Sequence, residues 1–96
     1  MNIIWTFPAA EDLENIFKFY KNNTSDEKAH EIINLIFNAT NLFTLSNITT
    51  KDIGQIELDL QYRDKGYRYI VESHFKIIYF VDENNIVITH VFDTRQ

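Results

Sequence analysis

The basic side chains that are the best candidates for a chemical role lie in the C-terminal half of this chain, where all three arginines follow residue 60. Arg68 and Lys76 lie in runs of aromatic and β-branched residues that are typical of strands, and Arg95 follows the last such run. Together with Tyr79 and His90, they could form a local cationic site on a sheet, with the histidine as a candidate base.

The same residues also have ordinary structural interpretations, which the sequence leaves open. Arg68 could form a surface ion pair with Glu57 or Glu72, because exposed charges usually pair in this way. His90 lies in a run rich in isoleucine and valine, where a histidine usually packs or lies at an edge. On residue types alone, the ordinary interpretations are favoured over a catalytic site.

No motif of the sequence predicts a bound metal or cofactor. Glu27 and His30 have the helical spacing of half a di-iron site, but no second copy of this motif occurs. Glycine-rich phosphate loops, nucleophile elbows and zinc-protease motifs are also missing from the sequence. We therefore expect neither a metal site nor a cofactor.

The composition predicts one folded domain spanning residues 1–96. Hydrophobic residues make up 45% of the chain and aromatic residues 15%, which is too much for a disordered protein. The chain has no cysteine, which excludes a disulfide scaffold, and no apolar run approaches the ~20 residues of a membrane span. Without a signal-peptide pattern, the expected location is the cytoplasm. The net charge of −5 weighs against a nucleic-acid partner.

The first half of the chain predicts a strand followed by a helical hairpin. Residues 1–7 are rich in β-formers, and Pro8 suits the first turn of a helix that ends at Asn22-Asn23. Thr24 and Glu27 have the spacing of a capping box, so a second helix is predicted from there to about Phe43. Each helix has one apolar stripe and needs a surface to pack on.

The second half predicts an antiparallel meander. Residues 45–53 are expected to form a loop, residues 54–61 fit either a strand or a short helix, and residues 63–66 a turn. Strands are predicted at 67–72, 75–81 and 86–92, joined by tight turns. Strict alternation places His90 on the same face as Ile86 and Ile88. The order predicts an α+β fold, with an N-terminal strand and a two-helix antiparallel hairpin packed on a three- to four-stranded antiparallel sheet.

A set of short motifs, in a fixed order along nearly the whole chain, adds a family resemblance to this interpretation. They are Trp5, Ala9-Ala10, Asp12-Leu13-x-x-Ile16, Ile53-Gly54-Gln55-x-Glu57, Tyr67-Arg68-Tyr69-Ile70-Val71, Phe75-Lys76-Ile77-Ile78-Tyr79 and Val91-Phe92-Asp93-Thr94-Arg95-Gln96. The ordered set resembles the RelE/ParE superfamily of type II toxin–antitoxin toxins. That family folds as a helical hairpin against a twisted antiparallel sheet, in agreement with the interpretation above.

The resemblance implies a bacterial toxin that is neutralised by a cognate antitoxin. ParE-like members poison DNA gyrase and are not enzymes, whereas RelE-like members cleave mRNA on the ribosome with cationic residues on the sheet. Lys76 stands where RNA-cleaving members often have an arginine, Arg95 matches a C-terminal arginine, and Arg68 lies on the preceding strand. His90 and Tyr79 are the candidate proton donors.

Two features of the sequence favour the gyrase-directed activity over mRNA cleavage. The chain is acidic, and it stops at Gln96, where nuclease members often continue to a further tyrosine or histidine. A non-toxic interaction module is a third alternative. In every case a partner is expected, because an apolar outer sheet face and an exposed edge strand are costly to leave bare. A disordered antitoxin segment could cover them, and homodimerisation through the helices is the competing explanation.

Overall fold

The structure is a computed structural model that describes residues 2–45, 55–56 and 66–95. The elements follow one another as β1 (Asn2–Trp5), α1 (Phe7–Asn23), α2 (Asp26–Leu45), β2 (Gln55–Ile56), β3 (Arg68–Glu72), β4 (Phe75–Asp82) and β5 (Asn85–Asp93). The loop predicted for 45–53 lies, after Leu45, outside the described residues. So does the segment predicted for 54–61, apart from β2, and so do residues 63–65 of the predicted turn.

The first helix begins at a side chain that also binds the sheet. Thr6 accepts a hydrogen bond from the Ala9 amide at 3.4 Å, and Pro8 occupies the first turn, where it needs no donor. The Thr6 hydroxyl in turn donates to the Ile88 carbonyl at 2.8 Å. The start of α1 is therefore fixed against β5.

The cap of the second helix is Ser25, so the predicted capping box at Thr24 is wrong by one residue. The Ser25 hydroxyl accepts a hydrogen bond from the Lys28 amide at 3.0 Å. The Thr24 amide donates instead to the Tyr20 carbonyl at 2.8 Å and closes the last turn of α1. Because the connection is so short, Thr24 ends one helix and Ser25 begins the next.

The sheet confirms the predicted α+β fold and adds two details to it. Its strand order is β1-β5-β4-β3-β2, with antiparallel pairing throughout the predicted meander. The sheet has five strands among the described residues when the two-residue β2 is included. Strand β1 joins it as predicted, but it pairs parallel to β5. Parallel pairing requires a long crossover, and here the intervening helices and meander supply it.

A β-bulge interrupts the pairing of the last two strands. Ile78 of β4 is paired with His90, but the next residue, Tyr79, is paired with Ile88. Thr89 is therefore an extra residue on β5, and its hydroxyl donates to the Ile78 carbonyl at 3.3 Å. One extra residue reverses the alternation of all side chains that follow it.

The bulge overturns the predicted face of His90. Ile86 and Ile88 are buried on the side that faces the helices, and beyond the bulge Val91 is the buried residue on that side. His90 and Phe92 lie on the opposite side, which we call the outer face. The prediction that His90 shares a face with Ile86 and Ile88 is wrong because simple alternation ignores the inserted residue.

The core lies between the helical hairpin and the inner side of β4 and β5. The fully buried aromatic and aliphatic side chains of β4 pack against apolar residues of both helices. The buried core residues are Ala9, Ile16, Tyr20, Ala29, Ile32, Ile36, Ala39, Phe75, Ile77, Tyr79, Ile86, Ile88 and Val91. Among the described residues, no helix is long and apolar enough to cross a membrane.

Candidate functional site

Tyr79, a candidate proton donor, lies inside the core. Its exposed fraction is 0%, and it faces the helices with Phe75 and Ile77. On the neighbouring strands its partners are Arg68 and Ile88. A side chain enclosed in this way packs the sheet against the helices and has no surface to offer a substrate.

Lys76 and His90 both lie on the outer face. Lys76 is paired with Phe92, so His90, two residues before Phe92, is its diagonal neighbour across the strands. The ammonium group of Lys76 lies 4.4 Å from the centroid of the Tyr69 ring, and the His90 ring stacks on Phe92 at 5.7 Å and 18°. The outer face therefore combines a cation, an imidazole and aromatic rings.

Arg68 and Arg95 do not join this pair. Arg68 is directly opposite Tyr79, so its side chain leaves the sheet on the helix side, where it is half-buried. Its predicted partner Glu57 lies outside the described residues. Arg95 follows β5, and its guanidinium is 2.8 Å from Nε2 of His74. The structure thus distributes the five sequence-predicted residues over the core, the helix side of β3, the outer face and the segment after β5.

A second group of polar side chains surrounds Arg95, and we call it the C-terminal cluster: Tyr20, His74, Asp93 and Arg95. The Tyr20 hydroxyl donates to Oδ2 of Asp93 at 2.9 Å and is also 2.9 Å from Nε2 of His74. The Asp93 side chain is only 2% exposed, and its Oδ1 is 3.8 Å from the same nitrogen. Helix α1, the β3–β4 turn and the end of β5 each supply a member.

Backbone contacts hold this cluster in place. Both the amide and the hydroxyl of Thr94 donate to the His74 carbonyl at 2.8 Å, and the Arg95 amide donates to Oδ1 of Asp93 at 3.1 Å. Ser73 adopts a φ of 58°, which tightens the β3–β4 turn and places its hydroxyl 3.1 Å from Nδ1 of His74. The turn and the chain segment after β5 are therefore fastened to one another.

A cavity of about 320 Å³ opens beside the C-terminal cluster. Its wall combines cationic, anionic, hydroxyl and aliphatic groups from α1, α2, the β3–β4 turn and the segment after β5. The lining residues are Tyr20, Lys28, Glu31, Ile32, Leu35, Ser73, His74 and Arg95. Within residues 2–45, 55–56 and 66–95, no group of three or more potential ligands could hold a metal ion.

In the pair Glu27 and His30, which has the spacing of half a di-iron site, the histidine has a structural role. Nδ1 of His30 contacts the Asp26 carbonyl at 2.8 Å, and its ring packs edge-to-face on Phe17 at 5.0 Å. His30 therefore joins the two helices of the hairpin.

A comparison with protein families shows the family to which the chain belongs. The family model described as ParE toxin of type II toxin–antitoxin system, parDE, matches residues 3–96. The chain belongs to the ParE toxin family. A solved structure described as the chromosomal ParDE TA system from P. aeruginosa matches with a TM-score of 0.78 and 21% identity, over 97% of this chain and 95% of that chain. At this identity the match supports the fold. A comparison with curated proteins finds no match.

Sequence reasoning missed three members of the C-terminal cluster of this ParE-family chain as site residues. Tyr20 fits the apolar stripe of α1, and His74 is simply a turn residue in the sequence. Their contacts join residues 54 and 73 positions apart, which no local spacing can indicate. Asp93 carried the only signal, because it lies in the C-terminal motif of the family.

Because of the environment of Tyr20, we expect the protein to lose stability at alkaline pH. Burial, and then the hydrogen bond to Asp93, raise the pKa of its phenol above the ordinary value of 10.0. The neutral phenol therefore stabilises the fold fully below pH 10, and this contribution is lost as the pH rises through the folded-state pKa. We expect urea unfolding to show this alkaline decline in the wild type and a weaker decline in Tyr20→Phe. Equal declines in both proteins would contradict this account.

We expect Asp12 of α1 to contribute measurably to the free energy of unfolding, because it binds the edge of β5 beyond the end of β1. Its Oδ2 accepts a hydrogen bond from the Val91 amide at 2.9 Å and lies 3.6 Å from Nδ1 of His90. Asp12→Ala removes this acceptor and should lower the free energy of unfolding by about 1 kcal/mol. The matched control is Glu11→Ala, an exposed neighbour that should change it by less than about 0.5 kcal/mol. Equal effects in urea unfolding would refute the role of Asp12.

Proposed function

We propose that this chain is the toxin of a type II toxin–antitoxin pair, that it poisons DNA gyrase, and that a cognate antitoxin neutralises it. The single observation that carries the proposal is the ParE family match, which spans residues 3–96. Poisoning gyrase requires binding to a protein target and no bond cleavage by the toxin itself. The proposal places the protein in the cytoplasm, where its target acts.

The arrangement of the basic residues supports a non-enzymatic role. Phosphodiester cleavage needs charge stabilisation and proton transfer at one point, with the reacting groups in mutual reach. Lys76 is on the outer face, Arg95 is bound to His74 at the end of β5, and Tyr79 is enclosed in the core. The net charge of −5 also disfavours tracking of a phosphate backbone.

One observation favours the second candidate function, ribosome-dependent mRNA cleavage. Lys76 and His90 are diagonal positions on adjacent strands of the outer face, so a cation and an imidazole share this face, with the Lys76 ammonium over the Tyr69 ring of β3. This pair could stabilise a phosphate and transfer a proton without Arg95 or Tyr79. The two functions therefore make opposite predictions for substitutions at Lys76 and His90.

Apolar side chains on the outer face support an antitoxin partner. Val71 is 55% exposed, Phe92 43% and Ile4 42%, and all three lie on this face. A disordered antitoxin segment that folds onto the sheet would remove them from water. Homodimerisation is the alternative, and measuring the mass of the purified chain across a concentration series separates the two.

The proposal is tested by inducing the gene in bacteria that carry a DNA-damage reporter, with transcript cleavage mapped in the same cells. We expect growth arrest with reporter induction and uncleaved transcripts. The variants Lys76→Ala and His90→Ala should retain both effects, because the proposed activity does not use their chemistry. Cleaved transcripts that disappear in these variants, with a silent reporter, would overturn the proposal in favour of mRNA cleavage. Normal growth would favour a non-toxic module.

A further inference from the structure

We propose that His74 is a positioning residue for Arg95: its neutral imidazole accepts a hydrogen bond from the guanidinium, and protonation of the ring releases the arginine. The inference rests on the proposed function only where Arg95 is taken to contact the target. The geometry within the chain stands independently of that target.

The hydrogen-bond partners of His74 define its tautomer. An arginine guanidinium can only donate, so Nε2, at 2.8 Å from Nη2 of Arg95, acts as the acceptor in this contact. The Tyr20 hydroxyl, 2.9 Å from both Nε2 and Oδ2 of Asp93, then shares its proton between these two acceptors. The proton of the neutral ring then lies on Nδ1, which donates to the Ser73 hydroxyl at 3.1 Å. The Ser73 hydroxyl can accept this proton, so its position is compatible with the tautomer that holds Arg95.

Protonation at Nε2 makes the observed contact with Arg95 impossible. Two N–H groups would then face each other at 2.8 Å, and two positive charges would repel. The new proton has another acceptor at hand, because the Tyr20 hydroxyl oxygen is 2.9 Å away and Tyr20 can then donate its own proton to Asp93 alone. The charged ring can thus form a chain of hydrogen bonds to Tyr20 and Asp93 once Arg95 has left.

Charged groups of both signs face His74 from two sides of the cavity. Asp93 and Arg95 come from the end of β5, and Oδ1 of Asp93 is 3.8 Å from Nε2. From α2, Lys28 and Glu31 line the same cavity and pair with each other at 3.4 Å. The remaining neighbours, Tyr20 of α1 and Ser73 of the turn, are neutral hydroxyl groups. Two acidic and two basic side chains therefore surround the ring, and the imidazole proton decides where Arg95 points.

The consequence is a pH-dependent presentation of the last arginine. While the ring is neutral, Arg95 is held beside the cavity, and once the ring is protonated the side chain is released into solvent. Because the lost hydrogen bond involves a charged group, any binding that uses the held arginine should weaken by about tenfold.

The experiment that tests the inference is side-chain ¹⁵N NMR on the full chain at pH 8.0 and pH 5.5. For the wild type we expect His74 to carry its proton on Nδ1 at pH 8.0, with a rigid Arg95 guanidinium that becomes mobile at pH 5.5. His74→Gln keeps an acceptor oxygen near the position of Nε2 but does not titrate, so Arg95 should stay rigid at both values. A mobile Arg95 at pH 8.0, an Nε2–H tautomer, or an unchanged Arg95 at pH 5.5 would overturn the proposal.

Gyrase inhibition between pH 6.5 and 8.5 provides the functional arm, normalised to uninhibited gyrase at each pH. Inhibition that weakens at low pH in the wild type but not in His74→Gln supports a role of the held arginine at the target. Equal pH dependence in the two proteins refutes that role, even if the NMR result stands. Lack of inhibition by either protein at any pH contradicts the proposed function. In that case the NMR experiment alone tests whether His74 holds Arg95.

Discussion

Phe75→Ala is expected to lower the free energy of unfolding by about 3–5 kcal/mol, because it empties a fully buried aromatic site at the start of β4. The Phe75 ring lies 4.2 Å from that of His74 and 6.2 Å from that of Tyr20, measured between centroids. The loss should therefore also loosen the C-terminal cluster. Urea unfolding followed by circular dichroism measures the effect.

The same residue type offers a matched control at the surface. Phe7 is 79% exposed at the start of α1, so Phe7→Ala should change the free energy of unfolding by less than about 0.5 kcal/mol. Similar losses in the two variants would show that the core is not centred between β4 and the helices.

Asp93→Ala is expected to cost about 2–3 kcal/mol, although it removes only a small side chain. The lost carboxylate accepts hydrogen bonds from the Tyr20 hydroxyl and the Arg95 amide in a nearly closed environment. Its removal leaves the amide without this acceptor, and Tyr20 and Arg95 then compete for a single nitrogen of His74. Urea unfolding at pH 8.0 measures the loss.

Asp82 is the matched control for this substitution, since it lies exposed at the other end of β4. Asp82→Ala should change the free energy of unfolding by less than about 0.5 kcal/mol. If Asp93→Ala changed the free energy of unfolding as little as Asp82→Ala, the C-terminal cluster would not contribute measurably to stability.

Local sequence pattern was sufficient for the two helices and for the last three strands of this fold. The strands at 68–72, 75–82 and 85–93 differ from the predicted ranges by one residue at each changed end. Their apolar periodicity and their turn residues are strong local signals. The helical hairpin was equally evident, because each helix has a single apolar stripe.

Three details of the fold could not be predicted from local pattern: the β-bulge, the cap of α2 and the parallel pairing of β1. The bulge at Thr89 carries no compositional mark, yet it moved His90 to the outer face, on which Lys76 also lies. The cap at Ser25 was misassigned because the neighbouring Thr24 is an equally good capping residue by type. Parallel pairing of β1 with β5 depends on tertiary packing rather than on any local pattern.

The candidate site shows the same division between local and long-range information. The sequence identified Lys76, His90 and Arg95 as chemically notable, and motif order supplied the family. It could not show that Tyr79 is enclosed in the core, because a strand tyrosine has the same local pattern on either face. Nor could it join Tyr20 to His74, since that contact forms only when α1 packs across the end of the sheet.

The central claim, that this ParE-family chain poisons DNA gyrase, is tested most directly by a supercoiling assay with purified gyrase, relaxed plasmid and ATP. The account predicts that the protein blocks the introduction of supercoils and that linear DNA accumulates after detergent and protease treatment. It also predicts the same outcome with Lys76→Ala and His90→Ala. Undiminished supercoiling without linear DNA, at a protein concentration in excess of gyrase, would contradict it.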